Sequence, residues 1–182
     1  MVPEGFGIQD VFRRLAEDSE RTAKIVSDIE LAYNEGRKIL VLTERTEHVG
    51  ALELELKQRV HNLFTLHGRV PKRQRISRMH ELESLTPDTP RVLLATGKLV
   101  GEGFDHPPLD TLVLAMPISW KGILQQYAGR LHRSHADKVD VRVIDFVDAG
   151  NAALMRMWDK RQAGYKAMGY RMADSLATMD LL

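Results

Sequence analysis

The sequence predicts an α/β fold of three layers, with a mostly parallel β-sheet between two layers of helices. Short apolar runs of four to six residues alternate with longer amphipathic segments, and strands that alternate with helices are typical of parallel sheets. Residues 39–42 are apolar at every position, as expected for a strand buried on both faces. Hydrophobic residues make up 43% of the 182 residues and charged residues 28%, a composition that favours a packed core over disorder.

The N-terminal part of the chain is predicted to be helical. Asp18 or Ser19 can cap a helix that runs to about Asn34, and Gly36 provides the stop signal. The buried strand at residues 39–42 follows directly. This part of the chain therefore leads into the sheet.

Prolines and apolar runs define the remaining elements. Pro71 suits the first turn of a helix, and Pro87 and Pro90 end that helix by about Leu85. The other predicted elements are a helix over residues 47–60, strands at 63–66, 91–95 and 112–115, a helix over 120–132, a strand at 141–146, and a helix from 151 to about 168.

Composition excludes several classes of protein. The absence of cysteine excludes disulfides, thiolate zinc sites and a cysteine nucleophile. The apolar runs are far shorter than a membrane span of about 20 residues, and the first residues lack the basic-then-apolar pattern of a signal peptide. We therefore expect a soluble, cytoplasmic protein with no membrane partner.

Charge is distributed unevenly, although the net charge is only +1. Residues 57–79 contain seven Lys or Arg residues and no Asp or Glu, whereas residues 1–36 contain eight acidic and four basic residues. A basic stretch of this kind is a first indication of a polyanionic partner.

The helix predicted over residues 120–132 carries the strongest functional pattern. Ligands of parallel sheets bind beyond the carboxyl ends of the strands, and this helix follows such an end. Gln126, Gly129, Arg130 and Arg133 are spaced i, i+3, i+4 and i+7, so they share one helix face. The two guanidiniums form a fork for phosphate oxygens, and a helical glycine, which costs about 1 kcal/mol against alanine, indicates close approach by another group. The alternative is a solvated basic face.

Two further segments follow predicted strands. Residues 95–105 contain three glycines within seven residues and end at Asp105, which can accept from a ribose hydroxyl or orient an arginine. Lys72 and Arg73 lie in the first turn after Pro71, where cations oppose the helix dipole and so indicate an external anion. A turn-rich connector and a solvated basic helix are the respective alternatives. His132 and His135 lack a third ligand nearby, so we predict no metal site.

These segments together resemble the second, C-terminal RecA-like domain of superfamily 2 helicases and translocases of the DEAD/DEAH-box and type III restriction kind. Residues 126–133 resemble motif VI, Q-x-x-G-R-x-x-R, and residues 95–105 resemble motif V. Residues 40–45 resemble motif IV, and residues 66–68 with the basic helix start resemble the adjoining nucleic-acid-contacting segment. The resemblance covers residues 37–149 and implies the RecA-like fold of P-loop NTPase-type helicases.

The resemblance implies a role for each matching residue. Arg133 matches the arginine finger that reaches the γ-phosphate, and Arg130 matches a second catalytic arginine; between them stand Leu131 and His132, where many relatives have threonine and glycine. The implied nucleotide-binding residues are Gln126, Gly103, Asp105 and Gly129, and the implied nucleic-acid-binding residues are Thr43, His67, Gly68, Lys72, Arg73 and Thr96.

The family's ATP-binding elements are not found in this chain. No Walker A sequence and no acidic Mg²⁺-binding box occur in it. The resemblance thus implies a C-terminal motor lobe that is inactive alone and works with an N-terminal RecA-like domain of the same protein. ATP and Mg²⁺ would be bound mainly by that domain. The implied substrate is nucleic acid, DNA more than RNA. It divides the chain into an N-terminal helical lead-in (1–36), the RecA-like domain (37–149) and a C-terminal helical cover (150–182). The alternatives are a non-catalytic binding module that retains this fold and, less favoured because no G-x-G-x-x-G follows the first strand, a Rossmann-type enzyme.

Overall fold

A parallel sheet forms the centre of the molecule. The computed structural model describes residues 7–100, 104–132 and 138–173. Within them five strands pair in the order β2-β3-β1-β4-β5, and every neighbouring pair is parallel. This confirms the predicted sheet. The strands are β1 (Lys38–Thr43), β2 (Leu63–Leu66), β3 (Arg91–Thr96), β4 (Thr111–Leu114) and β5 (Arg142–Asp145).

Helices α2 and α7 have the residue types expected for caps. Asp18 accepts a hydrogen bond from the backbone N–H of Arg21 at 3.0 Å, Gly36 follows the next helix end with a φ of 88°, and Asn151 caps the last helix. The helices are α1 (Ile8–Glu17), α2 (Ser19–Asn34), α3 (Thr46–Leu56), α4 (Lys72–Ser84), α5 (Gly97–Val100), α6 (Ile123–Leu131) and α7 (Ala152–Ala167).

Both faces of the sheet are covered, as the sequence predicts for a three-layer fold. Alternate side chains of β1 enter different cores because successive residues of a strand point to opposite faces. Ile39 and Val41 pack with buried residues of α2 and α3, whereas Leu40 and Leu42 pack with residues of α4, α6 and α7. Helices α2 and α7 both contribute to these cores. The predicted division of the chain into three parts, at residues 36 and 149, stays a prediction.

Several predicted boundaries were wrong. The predicted helix over 47–60 ends at Leu56, and the helix predicted from residue 120 begins at Ile123 because Gly122 takes a φ of 68°. The helical N-terminal part is two helices, separated at Asp18, whose backbone is extended. Among the described residues no helix is both long and apolar enough to cross a membrane.

Candidate functional site

The carboxyl ends of β1, β3 and β2 bring several predicted site residues to one edge of the sheet. Thr43 pairs in register with Thr96, and Leu66 pairs with Ala95. His67 therefore follows the end of β2 beside Thr96. We call this side of the sheet the carboxyl edge.

Thr43 is enclosed at that edge. Its side chain belongs to a residue that is 1% exposed, and its hydroxyl lies 3.0 Å from Nδ1 of His48, the third residue of α3. A buried hydroxyl that is already paired offers no atom to a ligand in this arrangement. The predicted nucleic-acid contact of Thr43 is therefore not carried further, whereas Thr96 is half-buried and reaches the surface.

The connection from β2 into α4 forms an exposed basic surface, residues 67–75, which we call the basic turn. Gly68, Lys72 and Arg73 are exposed, and no side chain caps the N-terminus of α4. Within the described ranges, neither Lys72 nor Arg73 forms an ion pair. Unpaired cations beside free backbone N–H groups are suited to binding anions. Burial lowers the pKa of His67, so its ring favours the neutral form.

The fold splits the basic stretch of the sequence between two edges. Lys57 follows the end of α3, and Arg59 pairs with Glu30 of α2 at 2.9 Å, so both lie before β2 begins. The basic turn comes after β2 ends. Because β2 lies between them, the two groups of cations are at opposite edges of the sheet.

The exposed side of α6 carries the strongest sequence pattern. Gln126 and Gly129 are exposed and Arg130 is half-buried. These three residues line one shallow cavity of about 620 Å³, so the predicted shared face is confirmed for them. We call it the α6 face. Arg133 and Gly103 lie outside the described residues. The other lining residues are Gly122, Gln125 and Met168.

Arg130 connects α6 to the segment that follows β3. Its Nη1 donates to the carbonyl oxygen of Phe104 at 2.5 Å and to the hydroxyl of Tyr127 at 3.3 Å. The Tyr127 hydroxyl itself donates to the Phe104 carbonyl at 2.8 Å, and the guanidinium lies 5.2 Å from the centre of the Tyr127 ring. The structure thus brings together the two segments that resemble motifs V and VI.

The electrostatics of this junction keep Tyr127 protonated. Burial raises the pKa of Tyr127 to about 12, against the opposing positive charge of Arg130, and the negative charge of Asp105 adds to the rise. Asp105 itself is exposed beside the junction. Tyr127 is not among the site residues predicted from the sequence. The signal that could have found it is that a buried tyrosine hydroxyl needs a hydrogen-bond partner.

A second cavity of about 640 Å³ lies beyond the ends of β1 and β4. Its lining includes Glu44, Arg45 and Lys121, together with Gln9 and Phe12 of α1. Burial raises the pKa of Glu44. In the described parts of the chain no group of three or more potential ligands could hold a metal ion.

The sheet order and the helix-borne arginine beside the motif V segment define the C-terminal RecA-like lobe of a helicase. The family model of the helicase conserved C-terminal domain matches residues 21–135, and the chain belongs to this family. The match includes most of α2, the strands β1 to β4 with their carboxyl ends, and α6.

The relatives agree with this assignment. Over 170 residues the chain is 26% identical to the probable helicase D10 of Escherichia phage T5, and the match covers 93% of this chain and 36% of that protein. The chain therefore spans about a third of the length of this relative.

Solved structures share the fold. The phage T4 protein UvsW matches 90% of this chain and 36% of its own, with a TM-score of 0.70 at 19% identity. The C-terminal domain of the DEAD-box protein Dbp5 matches 81% of this chain and 79% of its own, with a TM-score of 0.60 at 18% identity. At these identities the similarity concerns the fold.

Proposed function

We propose that this chain is the C-terminal motor lobe of an ATP-dependent nucleic-acid helicase or translocase. In this proposal ATP and Mg²⁺ are bound mainly by a first RecA-like lobe, and the α6 face of this lobe closes over the nucleotide. ATP supplies the phosphoryl group that is transferred to water. Arg130, with Arg133 beyond the end of α6, places positive charge where negative charge develops on that group, an effect of about 10³–10⁵-fold for arginine fingers in related enzymes.

Gly129 is the observation that carries the proposal. It lies inside α6 and is exposed, and a Cβ added there meets only the Met168 methyl group, at 3.9 Å, an ordinary contact. A glycine inside a helix costs about 1 kcal/mol relative to alanine, yet nothing in the described part of this lobe requires it. Close approach of a group outside the lobe, such as a nucleotide bound on a partner lobe, would explain why glycine occupies this position.

Arg130 is suited to bind a group outside this lobe. Within the described part of the chain its hydrogen bonds all come from Nη1, so Nε and Nη2 remain for an external acceptor. The bond to Phe104 fixes the guanidinium next to Asp105, and a fixed guanidinium can bind two phosphate oxygens in one plane. Gln126, on the same face, would add a neutral donor, while Asp105 and Gly103 would contact the ribose.

The basic turn would bind the nucleic-acid backbone. Lys72 and Arg73 supply unpaired charge, and Gly68, His67 and Thr96 adjoin them along the carboxyl edge. Phosphate contacts position a protein on nucleic acid without reading its sequence, as a translocating motor requires. We propose DNA rather than RNA as the substrate.

The test uses the complete ATPase, in which this lobe is joined to its Walker-bearing partner lobe. Arg130→Ala should lower the nucleic-acid-stimulated kcat about 10²- to 10³-fold, as removal of one charge-stabilising donor does, while nucleic-acid affinity changes little; Arg133→Ala should do the same. Arg142→Ala is the matched control, because Arg142 pairs with Glu35 at the opposite edge of the sheet. Retained activity together with a melting temperature several degrees lower would instead indicate a structural basic face.

Glycine substitution distinguishes further between a lobe that acts in catalysis and one that only retains the fold. Gly129→Ala should leave the isolated lobe equally stable, or up to about 1 kcal/mol more stable, yet lower ATPase activity of the complete enzyme. Gly50→Ala, in α3 with no atom within 4 Å of the added Cβ, should give the same stability change and full activity. Full activity in Gly129→Ala would favour a binding module that retains the fold without catalysis.

A further inference from the structure

The last turn of α6 has carbonyl groups that the helix itself does not satisfy. The final four carbonyls of any helix lack an intrahelical donor unless the chain turns back onto them. Here the N–H of His132 donates to the Gly129 carbonyl at 3.2 Å, three residues back, and not to Ala128. The Ala128 carbonyl, immediately before the glycine and arginine of the α6 face, therefore needs a donor from elsewhere.

Tyr170 supplies that donor from the segment after α7. Its hydroxyl donates to the Ala128 carbonyl at 2.9 Å, across 42 residues of sequence. Gly169, with a φ of 88°, turns the chain at the end of α7, and the Tyr170 N–H donates to the Tyr165 carbonyl at 3.0 Å. The turn thus fixes the direction in which Tyr170 points.

The tyrosine ring is fixed as firmly as its hydroxyl. It packs edge to face against His132 at 4.8 Å and against Tyr165 at 5.9 Å between ring centres. Burial raises the pKa of Tyr170 to about 12, so the hydroxyl remains a donor throughout the neutral range.

A second external group holds the end of the same turn. Nζ of Lys138 donates to the Leu131 carbonyl at 2.9 Å, and a positive charge at a helix C-terminus is favourable. Two contacts from outside α6 therefore lie on either side of Arg130, at Ala128 and at Leu131. The turn that carries the arginine is held by its surroundings as well as by its own helical hydrogen bonds.

We propose that Tyr170 is a positioning residue, which holds the last turn of α6 so that its arginine side chain reaches the nucleotide. The proposal rests on the proposed function. The hydroxyl acts through the Ala128 carbonyl and does not itself touch the nucleotide. Because a misplacement of about 1 Å at a reacting centre can cost on the order of 10²-fold in rate, release of this one hydrogen bond should be visible in kcat.

The test is Tyr170→Phe in the complete ATPase, which removes the hydroxyl and keeps the ring contacts. We expect the nucleic-acid-stimulated kcat to fall roughly tenfold, while KM for ATP stays within about twofold, because ground-state binding is mainly the work of the other lobe. Tyr33→Phe is the matched control: its hydroxyl accepts from the Asn62 N–H at 3.3 Å on the other face of the sheet. That variant should keep the wild-type kcat.

A double-variant cycle identifies the route of the effect. In an Arg130→Ala background, Tyr170→Phe should cause little further reduction of kcat if it acts through the arginine. Additive reductions, or a lower melting temperature with unchanged kcat, would overturn the proposal in favour of a purely structural contact. If Arg130→Ala abolishes activity and Tyr170→Phe keeps the wild-type kcat, this inference alone fails. A wild-type enzyme without ATPase activity, or an active Arg130→Ala variant, would overturn the proposed function and this inference together.

Discussion

His48 is a buried histidine at the carboxyl edge whose ring is held in the neutral form. Burial, assisted by the positive charge of Arg21, lowers the pKa of His48 from 6.5 to about 4. Nδ1 contacts the Thr43 hydroxyl, while Nε2 is buried with no hydrogen-bond partner in the described residues. Protonation of this ring in the folded state would bury a positive charge near that of Arg21, and no ion pair of His48 with a carboxylate is found among the described residues.

The free energy of unfolding should therefore depend on pH through His48. Below pH 6.5 the unfolded chain binds a proton at this ring and the folded chain does not, so stability falls as the pH is lowered from 6.5 to about 4. The decrease amounts to at most about 3 kcal/mol. Urea unfolding of wild type and His48→Gln between about pH 4.5 and 7 measures it, and the variant should show the shallower dependence. Parallel pH profiles would mean that folding does not lower the pKa of His48.

At the scale of elements, α7 is fixed to the sheet by a buried network. Arg161 is 1% exposed and donates to both carboxylate oxygens of Asp145, at 2.7 and 3.0 Å. Its Nη1 also donates to the Ile118 carbonyl at 3.2 Å, and the Tyr165 hydroxyl donates to Asp145 at 3.0 Å. One arginine of α7 thus joins the end of β5 to the connection between β4 and α6.

Gly164 allows α7 to come this close. A Cβ at this position would lie 1.9 Å from Cε2 of Trp120, so the indole ring occupies the space of the missing side chain. Gly164→Ala should lower the free energy of unfolding by about 1–3 kcal/mol through overpacking, although alanine is the better helix former. Urea unfolding measures this, with Gly50→Ala as the helical glycine that has room for a Cβ. A neutral or stabilising Gly164→Ala would show that Trp120 moves aside at no cost.

At the scale of the whole molecule, the sheet separates neighbouring parts of one basic stretch. Lys72 and Arg73 lie at the carboxyl edge, and Lys57 and Arg59 lie at the opposite edge. The sequence alone does not separate them. If nucleic acid follows the carboxyl edge, only the first pair contributes to binding.

A salt titration tests this separation. Replacing Lys72 and Arg73 with alanine should weaken binding about equally for all sequences. It should also reduce the magnitude of the slope of log K against log[salt] by about 0.7–0.9 for each phosphate that the variant no longer neutralises. Lys57→Ala with Arg59→Ala removes the same charge from the same stretch and should leave the slope unchanged. Equal effects of the two double variants would remove the basic turn from the nucleic-acid path.

Local patterns in the sequence were enough to predict the sheet and the edge at which the candidate site residues lie. Residues 39–42 are an apolar run with clear boundaries, and residues 63–66 are apolar except for Thr65. The i, i+3, i+4 spacing of Gln126, Gly129 and Arg130 defines a face in any helix. Contacts between distant segments could not be predicted in this way. The enclosure of Thr43 depends on where α3 places His48, and the support of α6 comes from Tyr170, 42 residues later.

The strand order also has a consequence for synthesis on the ribosome. β1 is the first strand of this sheet to be made, yet it pairs with β3 and β4 and not with β2. Its second neighbour is complete only at Leu114, and at roughly 5–20 residues per second the nascent β1 waits about 4–14 s for it. During that time a strand with four consecutive apolar residues, 39–42, has an unsatisfied edge. We therefore expect chaperones that hold nascent chains to engage this polypeptide before its fourth strand emerges.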